Sequence, residues 1–181
     1  MKGLFIEDYE RFTPHSFHYI ACFIRLMRNH ELRYIFWGRF NQKTTNMVMQ
    51  LLSRIVLRSY RRKYGLELNF RNLGGGIRLV HPWDITVNTN ATIGKNCTLF
   101  KGCTIGAIDK GINCGCPEMG DNVTVYANAT ICGNIKIGNW VKIAAGSFVN
   151  FDVPDNATVI GNPGVIHLKN FEESICNEIE R

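Results

Sequence analysis

MGDNVTVYANATICGNIKIGNWVKIAAGSFV, residues 119–149, is the stretch whose reading decides the fold. An apolar residue returns at every sixth position, as Met119, Val125, Ile131, Ile137, Ile143 and Val149. The same register runs backward through Ile105, Leu99 and Ile93 to Val87. A second row of small or branched residues lies four places after each, at Ala91, Cys97, Cys103, Val123, Ala129, Ile135, Val141, Ser147 and Val153, broken only by Asp109. In a chain that is 45% hydrophobic, ten apolar residues out of ten in one register arise by chance roughly 3 times in 10,000. A period of six fits neither a helix at 3.6 residues per turn nor a long alternating strand. It suits short strands joined by corners, and the corner residues Asn90, Asn96, Gly102, Asn122, Asn128, Asn134, Gly146 and Asp152 are types that tolerate left-handed backbone angles. Three such strands close a triangular coil of about 18 residues, and coils stack at the usual strand spacing into a β-solenoid. A β-sandwich would need variable strand spacing and hairpin turns in place of a strict six.

The repeat is interrupted twice. Between Leu79 and Val87 the register slips by two, and His81 lies in that slip, in Leu79-Val80-His81-Pro82-Trp83-Asp84. After Ile105 the next core residue is Met119, eight residues later than the repeat requires, so residues 106–118 bulge from a corner as a loop. An imidazole at one irregularity and an extruded loop about one coil later mark a candidate site, because loops on rigid repeats carry function. Gly74, Gly75 and Gly76 read as corners of the first coil, lacking the spacing and Lys of a phosphate loop.

The expected organisation is a helical segment at 1–65, a solenoid domain at 66–168 carrying the loop, and a tail at 169–181. The net charge of +6 is unevenly placed: residues 1–65 hold 12 Lys and Arg against 4 acids, and the rest 9 against 11. Basic character therefore belongs to the helical segment, and with no nucleic-acid motif present no nucleic-acid partner is expected. In that segment Met47, Val48, Leu51, Leu52 and Ile55 form a stripe expected to pack on the solenoid, with Arg54, Arg58, Arg61 and Arg62 as a solvated face. The sharper alternative is peripheral contact with an anionic membrane surface through these basic helices. The seven cysteines include Cys97 and Cys103 at inward positions, where a thiol fills space. Cys114-Gly115-Cys116 is too close and too poor in neighbouring ligands for zinc, and no metal is expected. Glu7, Asp8 and Glu10 do not suit a secretory signal, so a cytoplasmic setting is expected, with the inner membrane face as a variant of it. The tail places Phe171, Ile175 and Ile179 at helical spacing among Glu172, Glu173, Glu178 and Glu180.

Several stretches together carry a resemblance: Gly65-Leu66-Glu67-Leu68, Gly76-Ile77-Arg78-Leu79-Val80-His81, Cys103-Thr104-Ile105-Gly106-Ala107, Ile131-Cys132-Gly133-Asn134-Ile135-Lys136-Ile137-Gly138, Lys142-Ile143-Ala144-Ala145-Gly146-Ser147 and Val159-Ile160-Gly161-Asn162-Pro163. Over about residues 65–168 the chain resembles the serine acetyltransferase branch of hexapeptide-repeat acyltransferases, including short relatives that O-acetylate surface polysaccharides. The resemblance implies a mainly β fold, a left-handed parallel β-helix after a small helical segment, assembled as a homotrimer with acetyl-CoA as co-substrate in the groove between subunits. It implies His81 as the base, and an imidazole near pKa 6.5 suits that task at neutral pH. The family's orienting carboxylate is matched by Glu67, one residue nearer the histidine than usual, with Asp84 competing. By the same likeness the backbone at Gly106 and Ala107 contacts the oxyanion and thioester, Ala127, Ala145 and Gly146 line the pantetheine groove, and Lys142 and Lys169 meet CoA phosphates.

The acceptor pattern departs from the serine enzymes. Those carry an Asp just before the base and an Arg-His pair ahead of the loop proline, where this chain has Val80 and Gly115-Cys116 before Pro117. A free amino acid's carboxylate would lack its cation, at a cost on the order of 1.5 to 3 kcal/mol per charged hydrogen bond. The sequence therefore favours a sugar hydroxyl of a surface polysaccharide or its precursor, with serine O-acetylation in cysteine biosynthesis as the alternative and a non-catalytic solenoid scaffold as the alternative of another class. A γ-type carbonic anhydrase would need three converging histidines, whereas His15, His18 and His30 lie in the helical segment and His167 beyond the coils.

Overall fold

The computed structural model describes residues 2–12 and 18–168; Lys169, His15 and the tail at 169–181 lie outside them. Four helices come first: α1 (Lys2–Phe12), α2 (Tyr19–Arg28), α3 (His30–Lys43) and α4 (Met47–Tyr64). Asn46 starts α4 by accepting from the Val48 and Met49 N–H groups, and Gly65, at φ 65°, ends it, as expected of an N-cap side chain and a left-handed C-cap. A single 3-10 turn (Phe70–Asn72) leads into the strands. In chain order these are β1 (Arg78–Val80), β2 (Thr86–Val87), β3 (Thr92–Ile93), β4 (Thr98–Phe100), β5 (Thr104–Gly106), β6 (Glu118–Met119), β7 (Thr124–Val125), β8 (Thr130–Cys132), β9 (Lys136–Ile137), β10 (Lys142–Ile143), β11 (Phe148–Val149), β12 (Ala157–Ile160) and β13 (Val165–Leu168).

The strands form three faces. β1, β4, β7, β10 and β12 stack in parallel on the first, closed by antiparallel β13; β2, β5, β8 and β11 form the second; β3, β6 and β9 form the third. Thr124 pairs with Lys142, Thr130 with Phe148 and Glu118 with Lys136, each eighteen residues apart, so a coil is three repeats of six. Arg78 pairs with Thr98, twenty residues apart, which is the slip of two; Thr98 pairs with Thr124, twenty-six apart, which is the eight-residue insertion. Both sequence rows point inward. Leu99, Ile105, Val125, Ile131, Ile143 and Val149 have no exposed surface, and neither do Cys97, Cys103, Val123, Ala129 and Val141. Each fully buried aliphatic side chain contributes about 1.5–3 kcal/mol. Burial pushes the Cys97 and Cys103 thiols up to about 11 and about 12, so both stay protonated and inert as core fillers.

The corners differ from the sequence expectation. At the first corner, between the first and second faces, Asp84, Gly102, Asn128 and Gly146 take positive φ; at the third, Asn96, Asn122, Trp140 and Asn156 do. At the second corner Asn90, Asn134 and Asp152 do not take positive φ, although Gly133 there does, at φ 95°. Within this corner Asn88 Oδ1 accepts from the Asn90 N–H (2.9 Å), and between coils Asp152 Oδ1 accepts from the Lys136 N–H (2.8 Å). The extruded loop leaves from this second corner, after Gly106 and before Glu118, and itself carries Gly111 and Gly115 at positive φ. An Ile108–Gly115 bridge closes the loop on itself, and the Asn113 carbonyl ties it to the coils by accepting from the Asn134 N–H (2.9 Å).

The helical segment also departs from expectation. The α4 stripe faces away from the solenoid, with Met47 83%, Leu51 58% and Ile55 55% exposed. The buried side of α4 is instead Ser53 and Tyr60, with Val56, Leu57 and Tyr64 packed against the core. The seam between helices and coils is tied by an ion pair the sequence did not announce. Arg39 on α3 meets Asp8 on α1 (Nε to Oδ2, 2.9 Å), both fully buried. The guanidinium also donates to the Leu73 carbonyl (2.8 Å), and Asp8 accepts from the Ile77 N–H (2.9 Å). Burial raises the Asp8 carboxyl, and the bond to Arg39 opposes that rise. Removing one partner leaves a buried charge unpaired, so Arg39→Met is expected to cost about 3–5 kcal/mol. The carboxyl's folded pKa lies above its unfolded value, so this deficit is largest above the raised pKa and shrinks as pH falls through it. Denaturant melts at several pH values check both statements.

Candidate active site

The ladder between the first two coils explains how His81 reaches the surface. The Val80 carbonyl accepts from the Lys101 N–H (3.1 Å) and the Trp83 carbonyl from the Gly102 N–H (2.8 Å). Lys101 and Gly102 are neighbours, whereas Val80 and Trp83 are separated by two residues. His81 and Pro82 are therefore excluded from the ladder, and a short Trp83 N–H to His81 carbonyl bond (2.8 Å) closes the bulge. His81 takes φ 49°, a left-handed conformation unfavourable for an L side chain other than Asn or Asp by about 1–2 kcal/mol, and its side chain is exposed.

Helices α3 and α4 pack behind this corner. Trp83, 49% exposed, meets the Tyr64 ring edge-on at 4.9 Å, and Tyr64 stacks on His30 at 5.1 Å. His30 Nε2 is buried with no hydrogen-bond partner among the described residues. Burial lowers the His30 imidazole, with Arg33 and Lys63 pushing the same way. The next residue, Glu31, is the acid whose field reaches the corner: burial raises its carboxyl, and His81 and then Arg78 pull it back down. No spacing rule connects residue 31 to residue 81, so the sequence reading missed Glu31. Its one visible signal is an acid in the first turn of a helix that the sequence alone does not dock against the coils.

The two carboxylates expected behind the imidazole are placed otherwise. Glu67 Oε1 sits 2.7 Å from Arg61 Nε, while its backbone joins the second face beside Thr86. Asp84 Oδ1 lies over Gly65, so close that a Cβ there would meet it at 2.2 Å, and the Asp84 N–H donates to the Tyr64 carbonyl (2.8 Å). Among the described residues neither carboxylate hydrogen-bonds to His81.

The remaining positions fall on two edges of the prism. Ala127, Ala145 and Gly146 stand on the first corner with His81, coil above coil; the Gly146 N–H donates to the Ala127 carbonyl (2.9 Å), and nothing lies within 4 Å of where a Gly146 Cβ would be. From His81 to Ala145 is three coils, about 14 Å at the usual strand spacing. Lys142 lies on the first face and lines a cavity of about 320 Å³ with Trp140, Asn156 and Thr158. Gly106 and Ala107 lie at the second corner, where the loop departs; Gly106 pairs with Cys132, and the Ala107 N–H has no acceptor among the described residues. One chain thus gathers His81 and the small residues on one edge and puts Gly106 and Ala107 on the next. No group of three or more His, Cys, Asp or Glu residues able to hold a metal occurs among the described residues.

A family model for the bacterial transferase hexapeptide (six repeats) matches residues 117–150. The serine acetyltransferase of Synechococcus elongatus is 35% identical over 117 residues, covering 64% of this chain and 48% of that protein. The Staphylococcus aureus serine acetyltransferase is 34% identical over 125 residues, covering 68% and 59%. Among solved structures, Neisseria gonorrhoeae serine acetyltransferase superposes with a TM-score of 0.73 at 28% identity, covering 95% of this chain and 67% of its own. The chain belongs to the serine acetyltransferase-like branch of the hexapeptide-repeat family. Its fold is that family's left-handed parallel β-helix with a small helical part in front. It spans about half the length of the curated relatives it matches.

The bulge itself is open to test. A glycine at position 81 removes the Cβ that opposes positive φ, so His81→Gly is expected to be more stable than His81→Ala by about 1 kcal/mol. Equal melting temperatures for the two variants would show that the bulge stores no such strain.

Proposed function

We propose that this protein transfers the acetyl group of acetyl-CoA to a hydroxyl, with His81 as general base, in a homotrimer whose sites lie between neighbouring chains. The observation that carries the reading is the exclusion of His81 and Pro82 from the ladder, which sets an imidazole outside the prism at the end of a strip of small residues. The acceptor oxygen attacks the thioester carbonyl carbon while His81 takes the hydroxyl proton. The free N–H at Ala107, beside Gly106, stabilises the oxyanion, and collapse breaks the carbon–sulfur bond, the thiolate recovering the proton from the imidazolium. Ala127, Ala145 and Gly146 leave room for the pantetheine arm, and Lys142, with Lys169 beyond the described residues, supplies cations for its phosphates. Base and oxyanion donor sit on different edges of one chain, which supports assembly in threes so that one chain's first edge faces a neighbour's second.

Serine is the acceptor that the relatives' names favour over the sugar favoured by the sequence. A sugar hydroxyl remains a second reading on one observation: the half-exposed Trp83 indole beside His81 is a broad apolar face of the kind a pyranose ring covers. A thiol-release assay with acetyl-CoA against serine, nucleotide sugars and oligosaccharides decides the acceptor. His81→Ala is expected to abolish turnover while CoA binding persists, and a wild-type rate in that variant removes His81 as the base. Glu31→Gln is expected to lower kcat about tenfold or more, a loss of about 1.4 kcal/mol. Glu67→Gln, whose carboxylate is engaged with Arg61, is expected to have a smaller effect; the reverse ranking returns the orienting role to Glu67.

Peripheral contact with anionic lipid is the reading of the helical segment that its outward face supports. Ile20, Phe23, Ile24 and Met27 on α2 are 50–79% exposed in a strongly basic segment, and no helix among the described residues is long and apolar enough to cross a membrane. Salt-dependent pelleting with phosphatidylglycerol vesicles is expected, and no binding at low salt ends the reading.

A further inference from the structure

A second cavity, of about 480 Å³, lies between α4 and the first coil. Arg54, Arg58 and Arg61 enter it from one side of α4, and Arg71 enters from the turn below. Glu67 is the only acid in the lining and is held by Arg61 (2.7 Å). Among the described residues Arg54, Arg58 and Arg71 have no ion pair. Spacings of four and three along a helix put like charges next to one another, an arrangement that destabilises the helix unless an anion offsets it. The lining therefore keeps a net charge near three positive units over an aliphatic floor of Leu57 and Val87.

Every cation in the lining is arginine, whose planar fork grips phosphate oxygens in pairs, and none is lysine, which would act as a point charge. From Arg54 to Arg61 the helix rises about 10 Å, too far for one phosphate to meet all three guanidinium groups but within the span of two linked phosphates with their substituents. The volume falls in the range of about 300–1,000 Å³ usual for small-ligand sites, which leaves room beside the anion for an attached organic group. A solvated arginine face would explain exposure but not the convergence of two separate elements on one concavity.

We infer that this cavity binds the diphosphate group of a small ligand, carried by a nucleoside or by an isoprenoid lipid. The inference needs no acetyl transfer, so it stands or falls apart from the reaction proposed at His81. Titration of the full chain with inorganic pyrophosphate by calorimetry is expected to give one saturable site per chain, weakening steeply between about 50 and about 200 mM salt. Arg58→Gln with Arg71→Gln is expected to weaken it tenfold or more, and Arg54→Gln alone several-fold, with circular dichroism confirming that each variant folds. Arg62→Gln, outside the cavity, should leave it unchanged. Titrations with uridine diphosphate, and with phosphatidylcholine vesicles carrying a polyprenyl diphosphate, tell the two sources apart, and tight binding of either supports the inference. Absence of saturable pyrophosphate binding, sulfate binding as tightly, or unchanged affinity in the Arg58/Arg71 variant would overturn it.

Discussion

Parallel coils stacked in register leave no slack: each N–H of one coil has a fixed carbonyl in the coil beside it. A repeat two residues too long must therefore expel those residues or break the stack. The first coil expels His81 and Pro82, because the neighbouring coil offers Lys101 and Gly102 as consecutive partners for Val80 and Trp83. The candidate chemistry is a consequence of that mismatch. An imidazole in an ordinary inward repeat position would be buried among aliphatic side chains, and one in an outward position would lie flat on a face. At the expelled corner it stands proud of the prism, held by backbone geometry. Rigid coils on one side and the Tyr64–His30 stack on the other limit how far that corner can move.

The helical segment does more than cap the prism. The buried Asp8–Arg39 pair joins α1 and α3 to the loop carbonyls ahead of β1, so the helices and the first coil are fixed as one piece. That fixes Glu31 near His81, and it sets α4 over Arg71 to form the arginine-lined cavity. Two electrostatic environments of opposite character thus lie along one seam, a half-buried carboxylate near the imidazole and a cationic concavity beyond Glu67.

Much of this was legible in the chain. The ten inward positions from Val87 to Val149, the two-residue slip and the loop all follow from counting in sixes, because a solenoid's period is imposed by local geometry that each repeat must satisfy. What counting could not supply were the contacts made between segments far apart in sequence. Asp8 and Arg39 are thirty-one residues apart, and Glu31 and His81 fifty. The outward α4 stripe was misread for a related reason: apolar spacing identifies a helix face but not which neighbour claims it, and Tyr60 and Tyr64 claimed the solenoid side. Glu67 kept the place the family likeness gave it along the chain, yet Arg61, one helical turn before the C-terminus of α4, took its carboxylate. Trp140 at a left-handed corner escaped notice because residue type alone does not mark such a corner when the stack imposes it.

If the base and the oxyanion donor serve one another from different chains, two defective chains can repair each other. The most direct measurement is acetyl-CoA thiol release from trimers reassembled out of equal amounts of His81→Ala and Ala107→Pro chains, each inactive alone, the second lacking the backbone N–H at position 107. Sites formed between unlike chains in the productive order regain both parts, so random mixing is predicted to restore about a quarter of the wild-type rate. Mixed trimers that form and stay inactive would contradict a site shared across the subunit boundary.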